Sequence, residues 1–224
     1  MPLNVVLTGA SGMIGKGVLL ECLENKAVDQ VLSIARRPGD ITHPKLRELI
    51  HEDFTDFSTA IDQLTAFQPG ACFHCMGVSS AGMNEADYTR LTYTVTQSLA
   101  DAIYAANYRS VFIYVSGAGT DGTESGRLMW ARVKGKTENY ILNRGFAAAY
   151  AFRIGMVIPG EGIKSKSKWV NALLTVTKPL YGLFNKFKSV STSAQVGKAM
   201  INAARTQVQG SVLSAKEIKT LGGG

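Results

Sequence analysis

The chain has 224 residues, of which 46% are hydrophobic, and a formal net charge of +7. This length suits one globular domain, or one domain with a small additional lobe, and the composition is that of an ordinary globular protein. No apolar run approaches the ~18 residues that a membrane-spanning helix needs. Much of the excess positive charge lies in lysines between Lys164 and Lys188, and the sequence has no recognition-helix motif and no basic stripe interleaved with aromatic residues. We therefore expect no nucleic-acid partner.

The three cysteines, Cys22, Cys72 and Cys75, do not form a pattern typical of a disulfide framework. Cys72 and Cys75 have C-x-x-C spacing, which admits metal binding or thiol redox exchange. The sequence offers no second ligand pair, however, and the motif lies in a predicted buried strand whose successive side chains point to opposite faces. We interpret these residues as buried thiols and predict no metal site. The first predicted strand follows Met1-Pro2 directly, which leaves no room for a signal peptide. Because the thiols are unpaired, we expect a reducing, cytoplasmic location.

The opening segment, Leu3–Gly15, combines an apolar run with a turn of three glycines that leads directly into a helical pattern. The spacing G-x-x-G-x-x-G between a strand and a helix is typical of dinucleotide-binding folds, although it also occurs in plain turns. Gly9 lets the chain leave the strand, Gly12 lets the backbone approach a pyrophosphate, and Gly15 lets the helix pack on the strand. Helix N-termini favour anions. We therefore predict that the pyrophosphate is held by Gly9, Ser11, Gly12, Met13, Ile14 and Gly15.

The second predicted strand ends in Arg36 and Arg37. In the common NAD-binding pattern, an Asp or Glu at this place bonds the ribose 2′-hydroxyl. Planar guanidinium groups suit the 2′-phosphate of NADP instead. We therefore predict NADP rather than NAD as the cofactor, and the alternative is a pair of arginines on a surface loop.

Two further segments follow predicted strands at the same edge of the sheet. Asp53 and Phe54 follow the third strand, where an acidic residue can bond the adenine amino group and an apolar neighbour can cover the ring. Asp53 can equally cap the helix that follows. Cys75, Met76 and Gly77 end the fourth strand, and we assign them to the adenosine ribose side of the cofactor.

Strands and helices alternate along the chain, which predicts a parallel sheet covered on both faces: a doubly wound α/β (Rossmann) fold. We predict a single domain over 1–224, in which 155–190 contribute a small C-terminal lobe on the substrate side. The apolar and basic stretch 168–187 packs on the core or caps the cleft, and contact with a membrane surface is the less favoured alternative. Other predicted elements include helices over 13–25, 84–107 and 193–205, a helix from about 126, and strands over 146–153 and 210–215.

An ordered set of motifs runs through nearly the whole chain: Gly9–Gly15, Ala35–Arg37, Asp53–Phe54, His74–Gly77, Val115–Ala118, Val133–Gly135 and Phe152–Arg153. This set resembles the short-chain dehydrogenase/reductase superfamily in its extended or atypical branch, and most of all its Tat-interacting oxidoreductase-like group. The glycine motif is widely shared, whereas the ordered set is more specific. Where the superfamily commonly has Arg-Pro after the sixth strand, this chain has Arg153-Ile154.

The resemblance implies a catalytic set. In this superfamily a serine after the fifth strand orients the substrate carbonyl, and a Y-x-x-x-K helix supplies a tyrosine acid and a lysine that bonds the nicotinamide ribose. Ser116 matches the serine and Lys134 matches the lysine, but Trp130 stands in the place of the tyrosine. An indole N–H donates a hydrogen bond but does not exchange its proton near neutral pH.

These matches imply NADPH-linked reduction of a small acceptor, with Ser116 and Lys134 as the remaining catalytic residues. An electron-poor acceptor such as a quinone or a flavin needs little acid catalysis from the protein. The alternative is a non-catalytic NADP(H)-binding sensor or protein-interaction module. A monomer and a homodimer both remain open.

Overall fold

Nine strands and seven α-helices make up the described part of the chain. The computed structural model describes residues 3–160, 189–206 and 208–223. The strands are β1 (Leu3–Thr8), β2 (Val28–Ala35), β3 (Leu46–Ile50), β4 (Ala71–His74), β5 (Val111–Gly117), β6 (Ala148–Ile154), β7 (Met156–Ile158), β8 (Val190–Thr192) and β9 (Val212–Ser214). The helices are α1 (Met13–Glu24), α2 (Ile61–Phe67), α3 (Glu85–Thr89), α4 (Val95–Ala106), α5 (Met129–Leu142), α6 (Ser193–Arg205) and α7 (Ala215–Leu221).

Seven of the strands form one parallel sheet in the order β3-β2-β1-β4-β5-β6-β9. β1 lies between β2 and β4: Val5 pairs with Val31 of β2 on one side and with Ala71 of β4 on the other. The strand order reverses between β1 and β4, so the connections leave a crevice at the carboxyl ends of these strands. The order confirms the predicted doubly wound fold.

Helices cover both faces of the sheet, and each face has its own core. On one face, α1 and α6 pack against β1 through residues such as Val18 and Met200. On the other face, α2, α4 and α5 contribute Leu64, Leu99 and Ile141, all fully buried. Successive strand side chains alternate between these two cores, which is why the central strands are apolar on both faces.

Three elements differ from the sequence predictions. The helix predicted over 84–107 contains a π-helical turn, Arg90–Thr94, that separates α3 from α4. The helix predicted from about 126 begins at Met129, because the Asp121 carboxylate accepts the Gly126 N–H at 2.6 Å and holds the preceding residues in a loop. The sequence analysis missed α7, whose start is marked by a capping box between Ser214 and Glu217.

The predicted substrate-side lobe at 155–190 falls mostly on 161–188, which lie outside the described residues, as does the basic and apolar stretch 168–187. On either side of that range, β7 and β8 pair in parallel as a separate two-stranded sheet. None of the described helices is long and apolar enough to cross a membrane.

Candidate nucleotide-binding site

The glycine turn after β1 is packed too closely for side chains. Gly9 has φ +80°, and a Cβ on it would lie 2.7 Å from the carbonyl carbon of Cys75. A Cβ on Gly15 would overlap the Gly9 carbonyl oxygen, to which the Gly12 N–H donates at 2.8 Å. The turn therefore presents bare backbone at the switch point of the sheet.

Helix α1 begins at this turn. Its N-cap is Gly12, which has no side chain to accept a hydrogen bond, and its first turn holds no acidic residue. By contrast, α6 carries a full capping box between Thr192 and Gln195. The first N–H groups of a helix have no intrahelical acceptor, so those of Met13 and Ile14 suit an anion such as a pyrophosphate.

A cleft of about 570 Å³ adjoins the turn and is lined by Ser11, Ala35, Arg36, Arg37, Pro38 and Glu52. The fold thus brings Ser11 of the turn together with both arginines that follow β2. Sequence analysis missed Glu52, which comes two residues after β3 and therefore reaches the same edge of the sheet. Its position just after a predicted parallel strand could have identified Glu52, because the residues that follow parallel strands meet at one edge of the sheet.

The structure places Asp53 and Phe54 beside the cleft in local contacts. The Asp53 carboxylate accepts bonds from the N–H of Thr55 at 2.9 Å and from the Thr55 hydroxyl at 2.5 Å. Phe54 is 8% exposed and packs edge-on against Phe57. Asp53 thus holds a local turn with Thr55 and does not cap α2, whose N-cap is Ala60; its contact with adenine stays a prediction.

Cys75, Met76 and Gly77 lie across the turn from α1. The Cys75 N–H donates to the Thr8 carbonyl at 3.1 Å, which carries the chain against Gly9. Burial raises the pKa of the Cys75 thiol, so it stays protonated. Met76 packs on the core beneath α4, whereas Gly77 is open on its Cβ side to at least 4 Å. Among the described residues, no group of three or more His, Cys, Asp or Glu is placed to hold a metal ion.

Ser116 lies near the end of β5, and its hydroxyl proton is already engaged. Thr120 donates its proton to the Gly117 carbonyl at 2.8 Å, and the two hydroxyl oxygens of Ser116 and Thr120 are 2.9 Å apart. Because each hydroxyl has a single proton, Ser116 is the donor in the second bond. Ser116 is 2% exposed, so reaching a substrate requires it to exchange this partner.

Lys134 on α5 points back to the sheet. Its Nζ donates to the Tyr114 hydroxyl at 3.2 Å. Burial, reinforced by the Glu138 carboxylate, raises the pKa of Tyr114, so this phenol is neutral. Burial lowers the pKa of Lys134, although Tyr88 and Glu138 counteract it.

Trp130 covers the loop that follows β5. Its Cη2 atom lies 3.3 Å from the place of a Cβ on Gly119, which has φ +91°. The indole thus packs against this loop, one helical turn ahead of Lys134 on α5. The sequence left open which tyrosines come near this lysine. Tyr114 does so, whereas Tyr140 donates to the Asp101 carboxylate at 2.6 Å.

His74, at the end of β4, is held in one tautomer. Thr96 donates to the Thr92 carbonyl at 2.7 Å, so its oxygen accepts from His74 Nε2–H at 3.0 Å. Nδ1 then accepts from the Thr8 hydroxyl at 2.6 Å. Burial, and secondarily the Lys134 charge, lower the pKa of His74 to about 3. The imidazole is therefore a neutral link between the ends of β1 and β4.

The fold and the site together define a nucleotide-binding Rossmann protein. Residues 5–161 match the model of the NAD dependent epimerase/dehydratase family. The chain belongs to this family, which confirms the superfamily inferred from its motifs and supports a nicotinamide cofactor.

Solved structures of the same fold include sugar-nucleotide enzymes. ADP-L-glycero-D-manno-heptose-6-epimerase of Helicobacter pylori has a TM-score of 0.71 and 18% identity, over 97% of this chain and 80% of that one. The Bordetella bronchiseptica enzyme WbmH, solved in complex with NAD+, has a TM-score of 0.69 and 17% identity, over 98% of this chain and 80% of that one. At these identities the likeness shows the fold.

Curated relatives are similar over almost their full length. Protein fmp52, mitochondrial, of Emericella nidulans is 25% identical over 96% of this chain and 92% of that protein. Protein FMP52, mitochondrial, of Chaetomium globosum is 25% identical over 99% and 97%. These names contradict the cytoplasmic location expected from the sequence. That expectation rested on unpaired cysteines, and buried thiols do not distinguish one compartment from another.

Proposed function

We propose that this protein binds NADP(H) in the cleft beside the glycine turn and reduces a small acceptor. The observation that carries the proposal is that Arg36, Arg37 and Ser11 line one cleft at the carboxyl ends of β1 and β2. The pyrophosphate lies on the turn and the α1 N-terminus, the 2′-phosphate on the two arginines, and the nicotinamide ribose at Lys134. The remaining cofactor contacts are those assigned above to Asp53, Phe54, Cys75, Met76 and Gly77.

Charge argues for the phosphorylated cofactor. Two guanidinium groups bind a 2′-phosphate through charge-assisted, bidentate bonds, whereas a ribose hydroxyl leaves them without an anion. Glu52 lies in the same cleft and suits a ribose or adenine donor. Arg36 and Arg37 therefore favour NADPH over NADH, and the Glu52 carboxylate reduces the size of this preference.

We infer the acceptor from the proton donors available in the catalytic set that the resemblance implies, among the residues that the structure describes. The bound cofactor supplies a hydride. Trp130 releases no proton, and the Ser116 proton is engaged with Thr120. Lys134 is thus the protonated group of the inherited catalytic set, and it is bonded to Tyr114. We propose an electron-poor acceptor, such as a quinone or a flavin, whose reduction needs little acid catalysis.

Calorimetric titration with NADPH and NADH tests the cofactor assignment. We expect NADPH to bind more tightly, and Arg36→Ala/Arg37→Ala to lose this preference while NADH affinity stays nearly the same. Arg109→Ala/Arg205→Ala removes the same charge from exposed positions outside the cleft lining, and this control should keep the preference. If neither nucleotide binds the unmodified chain, the proposed function is wrong.

A second candidate is cofactor binding without turnover, as in a sensor or interaction module. The indole of Trp130 in the place of the acid favours it. NADPH oxidation, measured with a panel of quinones, flavins and simple carbonyls, separates the two. Tight NADPH binding without oxidation by any acceptor would favour the sensor.

We also propose one domain with a lobe formed by 155–190, membership of the Tat-interacting oxidoreductase-like group, and a monomer or homodimer. The superfamily is shown, and the ordered motifs support the narrower group. Light scattering of the purified chain measures its oligomeric state.

A further inference from the structure

The loop that carries Arg36 and Arg37 is tied to the first turn of α1 by an ion pair. Lys16 Nζ donates to Asp40 Oδ2 at 2.8 Å. Lys16 directly follows Gly15 of the glycine turn, and Asp40 comes three residues after Arg37. The ion pair therefore links the predicted pyrophosphate site to the predicted 2′-phosphate site.

The same loop forms a second, smaller hollow that adjoins the main cleft. Arg37, Asp40 and Ser11 are among the residues that line this hollow, and Ser11 and Arg37 also line the main cleft. The loop is fixed at its other side, where the Gly39 N–H donates to Glu48 Oε1 at 2.8 Å. Asp40 thus lies in the same hollow as Arg37, on a loop that is already held in place, and Lys16 reaches this loop from α1 through its bond to Asp40.

The ion pair orients the Lys16 ammonium, but it is weak enough for another anion to replace the Asp40 carboxylate. The side chains of Lys16 and Asp40 are 29% and 78% exposed, and exposed pairs contribute little because water screens them. The hydrogen bond from Lys16 lowers the pKa of Asp40, so the carboxylate is ionised near neutral pH. A phosphate offers the same ammonium more negative charge and more acceptor oxygens than a carboxylate does.

We propose that Lys16 is a third cationic ligand of the cofactor 2′-phosphate, and that Asp40 competes with this phosphate for Lys16. In the cofactor-free protein the ammonium is bonded to Asp40; when NADPH binds, the phosphate replaces the carboxylate. NADH has no phosphate at this place and leaves the pair intact. Lys16 and Asp40 therefore help to set the discrimination between the two nucleotides. This inference rests on the proposed function, since it assumes that the cleft binds NADP(H).

Calorimetric titration of Asp40→Asn with NADPH and NADH tests the competition. We expect NADPH to bind about three- to fivefold more tightly, in proportion to an exposed ion pair, and NADH affinity to stay the same. Lys16→Gln should weaken NADPH binding about fivefold without affecting NADH. In the double variant, Asp40→Asn should no longer improve NADPH binding, because its effect passes through Lys16.

The control is Asp29→Asn, which removes a carboxylate at the exposed start of β2, the opposite end of the strand from the cleft. This variant should change neither the NADPH affinity nor the NADH affinity. Circular dichroism melts check that each variant folds. We expect all of them to fold, because the side chain of Lys16 is partly exposed and that of Asp40 is largely exposed.

Three results would overturn the proposal. Asp40→Asn could leave NADPH affinity unchanged, it could improve NADPH and NADH equally, or its gain could persist in the Lys16→Gln background. Each result leaves the proposed function standing if the unmodified chain still prefers NADPH. Failure of the unmodified chain to bind either nucleotide would instead overturn the proposed function itself.

Discussion

In the proposed match to short-chain dehydrogenases, Trp130 stands in the place of a tyrosine acid, and Lys134 four residues later matches the lysine. An indole supplies no proton near neutral pH. The lysine bonds Tyr114, a neutral phenol on β5, and Ser116 bonds Thr120. Each remaining polar group thus has an internal partner in the cofactor-free protein. At the scale of single residues, we therefore predict a site that binds and orients a cofactor but transfers protons poorly.

Trp130→Tyr should restore the Y-x-x-x-K spacing and with it a proton donor beside Lys134. We expect NADPH-dependent reduction of simple carbonyls to rise about 10²-fold, the lower range for one general acid. Trp130→Phe keeps an aromatic ring without a hydroxyl and should show no such rise. Equal rates in the two variants, measured by NADPH absorbance, would mean that the hydroxyl at this position is not the missing element.

His74 makes the folded chain sensitive to acid. Its pKa drops from 6.5 to about 3 on folding, so between these values the unfolded chain binds more protons than the folded chain. The free energy of unfolding therefore falls as pH falls through this window, by at most about 1.4 kcal/mol per pH unit. Urea unfolding at pH 6.5 and pH 5 should show a loss of about 1.6 kcal/mol from this residue, which His74→Gln removes.

Because His74→Gln could disturb folding, NMR of the unmodified chain gives an independent check. The nitrogen shifts of His74 should remain those of the neutral Nε2–H tautomer at pH 5. A His74 ring that titrates near pH 6.5 would contradict the buried network with Thr8 and Thr96.

At the scale of elements, backbone closeness at the glycine turn fixes where α1 begins relative to β1 and β4. Gly9 needs its positive φ and has no room for a methyl group against Cys75. Elsewhere, a bidentate ion pair joins α5 to β6. The Arg153 guanidinium donates to both carboxylate oxygens of Glu138, and Arg153 Nη2 lies 2.7 Å from Glu138 Oε2. These two junctions fix α1 and α5 against the sheet.

Gly9→Ala should lower the free energy of unfolding by about 2–3 kcal/mol, because the methyl group strains the backbone and collides with the end of β4. It should also weaken NADPH binding. Gly77→Ala is the matched control for stability, since a Cβ there meets nothing within 4 Å. Chemical denaturation measures both variants, and equal losses would contradict the close packing at Gly9.

Glu138→Gln should lower the free energy of unfolding by about 3 kcal/mol, because it leaves the Arg153 guanidinium beside an uncharged, buried partner. Glu138 is 1% exposed. The control, Glu85→Gln, breaks the ion pair with Arg132, in which Glu85 is 54% exposed, and should cost less than about 1 kcal/mol. Similar losses in the two variants would mean that burial does not strengthen the Glu138 pair.

At the scale of the whole molecule, one parallel sheet with a core on each face holds the cleft at its switch point. The glycine turn, the arginine loop and β4 all meet there because the carboxyl ends of parallel strands share one edge. Ligand binding at that edge therefore stabilises contacts among several elements at once.

NADPH at one hundred times its dissociation constant should raise the free energy of unfolding by about 2.7 kcal/mol, since it binds only the folded chain. At the same nucleotide concentration, NADH and the Arg36→Ala/Arg37→Ala variant should show smaller effects. Thermal melts monitored by circular dichroism measure this without knowledge of the acceptor. Equal stabilisation by NADH and NADPH would contradict selection of the 2′-phosphate.

The sequence by itself determined the doubly wound sheet, the glycine turn and the arginines after β2. These features follow from local patterns: apolar strands alternate with helical spacing, and glycines mark a strand–helix junction. Such patterns report which face of one element is buried. Ser116 and Lys134 were instead assigned through the resemblance to short-chain dehydrogenases, and their roles stay predictions.

Only the tertiary structure decided which side chains meet. It placed Glu52 in the cleft, bonded Lys16 to Asp40 across 24 residues of sequence, and engaged Lys134 with Tyr114. It also began α5 later than its helical pattern predicts and added α7. These outcomes depend on how separate elements are arranged by the crossover connections, and the periodicity of any one element contains no information about its distance from another.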